Sequence, residues 1–329
     1  GLGYTSLRGR LTELVQGQIL YLLRRLLRLL LTRQRFDLIL VVGDVIPVIA
    51  AWLSRRPVAA YLVAYSSHYE GKLRLPWPCA ALLRSPNFQT VFSRDQLTAD
   101  DLGRQLKRPV RFLGNPFMDP VLTPAPPLPA ASQRIGLLPG SRRPELDANL
   151  ELMLQLVTRL PLQSDLSLDL ALVPSLGEDD LAVLAKRAGW MLQGDVLVRE
   201  GAQEVHVHRG AFQAVLQSSD LVIGMAGTAV EQAVGLCKPA LQLPGGGPQF
   251  TSAFAEAQRR LLGPTVFCAT GAACSTANLD ASAELCMDLL SRSNTDQELQ
   301  RCCRKEAQRR LGNQGGGLRM AEAISSLLP

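Results

Sequence analysis

The chain contains no C-x-x-C pair, no G-x-G-x-x-G or Walker phosphate loop, no D-x-D and no long uncharged apolar run. Its seven cysteines are odd in number and two of them, Cys302 and Cys303, are adjacent. Neither a disulfide framework nor a zinc site is encoded, and the thiols read as small buried hydrophobes of a reducing compartment. The longest apolar stretch, Leu38 to Leu53, is broken by Asp44 and Pro47 and is too short to span a bilayer; no secretory signal is visible. Charge is scarce, at 19% of residues against 47% hydrophobic, which excludes a disordered chain. It is also uneven. Residues 1–36 carry seven arginines and one acid, which accounts for the whole net charge of +6, and the remainder holds 28 basic and 28 acidic side chains. A neutral remainder offers no long basic surface to a nucleic-acid backbone, so no nucleic-acid partner is expected. The excess points to one anionic partner near the N-terminus.

What is present is alternation. Short apolar runs at 37–42, 58–63, 89–92 and 110–113 are separated by helical or turn-rich segments. After the proline-rich stretch PVLTPAPPLP (Pro120–Pro129) the pattern restarts, with strands expected at 134–138, 166–173, 221–225, 240–243 and 265–267. Helices are expected at 145–160, 179–188, 211–218, 228–236 and 250–262, and the stretch from about 281 to 328 is helical with a break at Gly315-Gly316-Gly317. This order predicts an α/β protein of two Rossmann-like, doubly wound domains: residues 1–118, a linker at 119–130, a second domain at 131–310 and a C-terminal helix at 311–329.

In open parallel sheets, ligands sit beyond the carboxyl ends of strands. Two loops of the second half have the composition for an anion there. One is LLPGSRRPEL (137–146), with Gly140, Ser141 and Arg142 before a helix; the other is LVIGMAGTAVEQAVGLCKP (221–239), with Gly227 and Thr228 at a helix start. Glycines permit close approach of a phosphate, and the free N–H groups and dipole of a helix start favour negative charge. Each loop alone also reads as plain packing; two in one domain point to a diphosphate site. The arginine bias, 30 of 35 basic residues, fits phosphate recognition or GC-rich coding equally.

At these residues the sequence resembles the lipid-A-disaccharide-synthase-related proteins. These are relatives of lipid A disaccharide synthase and of the transferase that adds N-acetylglucosamine to undecaprenyl-linked muramyl peptide. The resemblance rests on LLPGSR (137–142), on GTAVEQAVGLCKPALQLPGGGPQFT (227–251), and on FDLILVVGD (36–44), FSRDQLTADDL (92–102) and FLGNPFMD (112–119). It implies a GT-B fold, with two Rossmann-like domains facing a cleft: the first takes an acceptor, the second a nucleotide-sugar. No metal and no cofactor beyond the UDP-sugar donor are implied. Gly140, Ser141, Arg142, Gly227 and Thr228 would face the diphosphate. A glutamate grips the ribose in the relatives; its spacing from Pro239 falls here on Gln232, with Glu231 adjacent, so both are candidates. Gln249 is the candidate for the donor sugar or else an ordinary helix-start residue. Asp44 matches an aspartate considered catalytic; on the residues alone it reads first as the cap of the following helix.

Other polar residues keep two readings. His68, in SSHYEG, is a base or has no role; Asn115 contributes to the cleft or only forms a turn; Phe212 contacts the nucleotide base or belongs to the core. His206 and His208, in EVHVH, read as a plain surface strand rather than a metal pair, since no third ligand is in sight.

Residues 18–35 have helical periodicity, with Arg24, Arg25 and Arg28 on one side and a wide leucine arc on the other. This is either a core helix with a solvated arginine stripe or, in addition, a rim meeting an anionic membrane surface. Together these readings predict a metal-independent hexosyltransferase of the lipid-A-disaccharide-synthase type, cytoplasmic and peripherally membrane-associated. It would move a glucosamine-derived sugar from UDP to a lipid-linked sugar acceptor. The alternatives are a UDP-sugar 2-epimerase of the same fold, and a non-catalytic nucleotide-sugar-binding homologue, which Gln232 favours. No strand–loop–helix unit precedes the basic helix. The first domain is therefore expected to lack its first βα unit, or the chain to be a fragment, with catalysis crippled and nucleotide binding retained.

Overall fold

Apolar side chains at period two and period 3.6 resolve into eleven strands and fourteen helices over the described residues. The computed structural model describes residues 18–71, 73–225, 227–245 and 252–328. The chain divides into two compact units, one running to Leu113 and resuming at Arg319, the other spanning Gly114–Leu318.

The first unit contains α1 (Gln18–Thr32), β1 (Ile39–Val42), α2 (Val45–Ser54), β2 (Val58–Leu62), α3 (Ser67–Glu70), α4 (Cys79–Leu83), β3 (Phe88–Ser93) and α5 (Gln96–Leu106). Its three strands are parallel in the order β1-β2-β3, with Ile39 opposite Val58 and Val58 opposite Phe88. Every side chain of β2 is buried, as both-face coverage of a parallel sheet requires. One face packs Val41, Val48, Leu62, Leu83, Phe88 and Leu102 into a core; the other brings Ala59, Tyr61 and Phe92 onto Met320 of the returning C-terminal segment. The strand expected at 110–113 is reduced to a single bridge, Phe92 to Arg111, because Pro109 and Gly114 leave too few residues to pair.

The second unit contains α6 (Asp119–Leu122), β4 (Gln133–Leu138), α7 (Glu145–Val157), β5 (Leu166–Leu172), α8 (Glu178–Arg187), β6 (Met191–Gln193), β7 (Val196–Val198), β8 (Val205–Arg209), α9 (Phe212–Ser218), β9 (Leu221–Gly224), α10 (Gly227–Gly235), β10 (Ala240–Gln242), α11 (Ser252–Leu262), β11 (Val266–Cys268), α12 (Thr276–Thr295), α13 (Gln297–Arg310) and the start of α14 (Gly316–Ser325). The sheet runs β11-β10-β9-β4-β5-β8-β7-β6. The six strands β4, β5, β8, β9, β10 and β11 are parallel. In chain order they give the arrangement 3-2-1-4-5-6 of a dinucleotide-binding fold, whose order reverses between β4 and β9. β6 and β7 form an antiparallel hairpin on the far edge, turning at Gly194-Asp195; the sequence reading did not foresee it. β8 is not the surface strand expected for EVHVH but an interior one, paired to β5 and β7.

Two further features depend on close approach. The proline-rich stretch is strapped to α9, where Gln217 Nε2 donates to the carbonyls of Val121 (2.7 Å) and Thr123 (2.6 Å). The Gly315–Gly317 run surrounds Asp119, whose carboxylate accepts from all three backbone N–H groups at 2.8–3.2 Å. A Cβ on Gly316 would lie 2.6 Å from the carbonyl carbon of Gly114, so only glycine fits there.

Candidate functional site

In the second unit the two glycine-bearing loops leave β4 and β9, the adjacent strands on either side of the switch point, where Leu138 pairs with Gly224. Gly140 has φ +105°, a conformation that L side chains rarely adopt, and Asn149 Nδ2, itself buried, fixes the turn by donating to Pro139 O at 2.7 Å. Ser141 and Arg142 are exposed beyond it. Arg143 differs from its neighbour: it is engaged by Asp147 (2.9 Å) and Asp180 (3.1 Å), and those hydrogen bonds raise its pKa. Beyond β9, Gly227 opens α10, where an added Cβ would meet nothing within 4 Å among the described residues, and Thr228 is exposed. The starts of α7 and α10 thus lie at the carboxyl end of the sheet beyond adjacent strands, α7 covering one face and α10 the other, and helix starts so placed can hold anions without a metal.

Gln232 and Glu231 lie on the body of α10. Gln232 Nε2 donates to Phe117 O at 2.8 Å, which leaves its Oε1 for a hydroxyl, while Glu231 is buried. Gln249 lies outside the described residues. Phe212 is half-buried and packs against the core that α9 covers.

In the first unit Asp44 follows the carboxyl end of β1, half-buried. It occupies the cap position of α2, but its side chain makes no capping hydrogen bond. Burial, reinforced by the charge of Asp44, pushes the Cys79 thiol up to about 11. Burial likewise pushes Cys286 and Cys303 up to about 12. None of the three is an active thiolate near neutral pH. Cys274 is exposed, against the expectation of burial.

No protein-family profile and no curated protein sequence matches the chain. Solved structures do. The UDP-GlcNAc 2-epimerase of Neisseria meningitidis bound to UDP-GlcNAc superposes with a TM-score of 0.55 at 16% identity, over 93% of this chain and 81% of that one. The UDP-GlcNAc 2-epimerase of Methanocaldococcus jannaschii gives 0.54 at 13% identity, over 93% and 81%. The spinosyn rhamnosyltransferase SpnG gives 0.50 at 13% identity, over 97% and 82%. The fold is GT-B. At these identities the likeness fixes architecture and nothing finer.

Within the GT-B fold, the first unit contains a polar cluster that the sequence reading missed. Beyond β2, Ser66 Oγ donates to Asp95 Oδ2 (2.7 Å) and His68 Nε2 stands 3.8 Å from Asp95 Oδ1. Ser67 Oγ (2.9 Å) and Leu73 N (2.8 Å) donate to Asp101 Oδ2. Burial opposes ionisation of Asp101, but hydrogen bonds from Gln105, Leu73 and Ser67 outweigh it and hold its pKa below the usual carboxylate range. His68 is therefore a buried partner of Asp95 and not a solvent-facing base. Asn115 is wholly buried and its N–H donates to Leu311 O at 3.0 Å.

Helix α1 is no core helix. Leu26, Leu29 and Leu30 are half-buried, whereas Leu20, Leu23, Leu27 and Leu31 form an exposed stripe beside the exposed Arg24, Arg25 and Arg28. Arg25 stacks on Tyr21, 5.1 Å from the ring centroid. No helix among the described residues is long and apolar enough to cross a membrane, and no group of three metal-ligating side chains occurs among them.

Proposed function

We propose that the chain is a UDP-sugar enzyme of GT-B fold that holds the donor diphosphate on Gly140, Ser141, Arg142, Gly227 and Thr228. One observation carries this reading: both loops leave the strands that flank the switch point, where a dinucleotide-type sheet binds its ligand. Leaving-group charge on the diphosphate would be met by the two helix starts and by the guanidinium of Arg142, so no divalent cation is required. Gln232 Oε1 and Glu231 would hold the ribose, Gln249 the sugar, and Asp44 would exchange a proton with it.

Of the reactions open to such a site, inversion at C2 of a UDP-hexosamine comes first, supported by the fold likeness to two UDP-GlcNAc 2-epimerases. That reaction requires a proton to be removed from one face of C2 and one returned to the other, and Asp44 would serve one of those faces. A second reading, transfer of the sugar to a lipid-linked acceptor as in lipid A disaccharide synthase, is supported by the sequence resemblance and by α1. Its exposed leucines beside Arg24, Arg25 and Arg28 suit an anionic membrane surface.

The test is incubation of the purified protein with UDP-GlcNAc, with and without membrane lipid extract, following epimer and free UDP by NMR. Epimer formed without lipid supports the first reading. UDP release that depends on lipid, with a new glycolipid, replaces it by the second. Absence of any UDP-GlcNAc binding overturns both.

A further inference from the structure

The opposite end of the C-terminal sheet has its own chemistry. One face of β4, β5 and β8 is apolar along its length: Ile135 and Leu137, Leu168 and Leu170, Val205 and Val207. On the other face, at the amino ends, the same strands place Arg134, Ser167 and Asp169, and His206 and His208 side by side, with Arg134 opposite Ser167 and Asp169 opposite His206. Asp169 is 1% exposed. Its carboxylate accepts from His208 Nε2 (2.6 Å), Ser167 Oγ (2.8 Å) and Arg134 Nη1, and Arg134 Nη2 donates to the carbonyl of Pro129. A buried cluster of charges adds little to stability compared with well-packed apolar side chains, so the fold itself does not call for it. The cluster forms the floor of a cleft of about 670 Å³, within the size range of small-ligand pockets.

The groups facing the cleft decide what it would take. Arg134 is fully engaged by Asp169 and Pro129, so it offers no anion site. Ionised Asp169 only accepts, so Nε2 of His208 carries a proton towards it and Nδ1 is the ring nitrogen left to the cleft. His206 adds a second imidazole, and the exposed carboxylates of Asp165 and Asp195 stand on the walls, Asp195 also holding Arg209 at 2.8 Å. Asp169 is paired with Arg134 and Asp195 with Arg209, so of the three carboxylates at the cleft or its rim Asp165 is the one with no ion pair among the described residues.

We propose that this cleft is a second ligand site, distinct from the switch-point loops; it runs from Arg134, about 20 Å from Gly140 along β4 at ~3.3 Å per residue, to His208, whose partner Ala171 is level with Leu138. It takes a small, donor-rich organic ammonium compound, its ammonium group between Asp165 and Asp195 and its hydroxyl or amine hydrogens on His206 and His208.

The probe is D-glucosamine, with D-glucose as the uncharged match and inorganic phosphate as the anionic one. The imidazole NMR signals are read, His206 and His208 being assigned through His206→Gln and His208→Gln. Millimolar glucosamine is expected to shift both signals, leave His68 unmoved and exceed glucose in affinity. The double variant Asp165→Asn/Asp195→Asn, at exposed positions that leave the fold intact, is expected to weaken glucosamine about tenfold or more, the worth of a charge-assisted bond. No shift with glucosamine, an equal response to glucose, or a preference for phosphate overturns the proposal. UDP is expected to leave both signals in place, which separates this site from the proposed donor site.

Discussion

Arg142 and Arg143 are neighbours of one residue type with different surroundings, and that difference is testable. Arg143 is held by two carboxylates, whereas Arg142 makes no ion pair among the described residues. Arg142→Ala should weaken UDP binding about ten- to a hundredfold, the worth of a hydrogen bond to a charged group at ~1.5–3 kcal/mol, and Arg143→Ala should change it less than about threefold. Isothermal titration decides between them; equal losses would remove Arg142 from the site. Asp169 carries a second prediction. Burial opposes its ionisation, but hydrogen bonds from His208 and Ser167 and the charge of Arg134 lower its pKa. A lowered folded pKa gives stability that is present above the unfolded value, about 3.9, and is lost as pH falls through the folded one. Asp169→Asn should therefore flatten the fall in thermal stability below about pH 4; an unchanged acid limb would contradict the assignment. The Asp95 and Asp101 clusters were not legible beforehand, because their serine partners lie 29 and 34 residues away in sequence. Asp44 was legible as a residue at a strand end, but not as a cap residue whose carboxylate does no capping.

At the scale of elements, local pattern predicted most strands and helices well. β4, β5 and β9–β11 coincide with the apolar runs, and α7–α10 with the periodic stretches between them. What failed depended on distant partners. The 110–113 run is apolar enough for a strand yet pairs at one residue, and β8 is interior because β5 and the β6–β7 hairpin flank it, which no window of sequence contains. The hairpin itself left a trace, Gly194-Asp195 between two apolar runs, that was readable as a turn. Helix α1 shows the reverse: its amphipathic pattern was plain, but not that five of its leucines stay exposed. If that stripe meets anionic lipid, changing Arg24, Arg25 and Arg28 together to Glu should abolish liposome flotation, since each arginine near such a surface contributes ~1 kcal/mol. Unchanged flotation, or none in the wild type, would make it a solvated face.

At the scale of the whole molecule, the charge excess and the candidate donor site fall in different units. The +6 belongs to the first 36 residues, and the switch-point loops, with the proposed diphosphate site, belong to the other unit, where Arg142 makes no ion pair among the described residues. The resemblance read from the sequence and the GT-B architecture agree on fold, while the reaction is left to the assay with UDP-GlcNAc. The two proposed sites, one for an anion and one for a cation, belong to the same sheet. The central claim is the position of the donor, and a crystal structure of the protein with UDP tests it most directly. The diphosphate is predicted between Gly140–Arg142 and Gly227–Thr228, beyond the carboxyl ends of β4 and β9. UDP seated elsewhere, above all in the cleft floored by Asp169, would contradict the account.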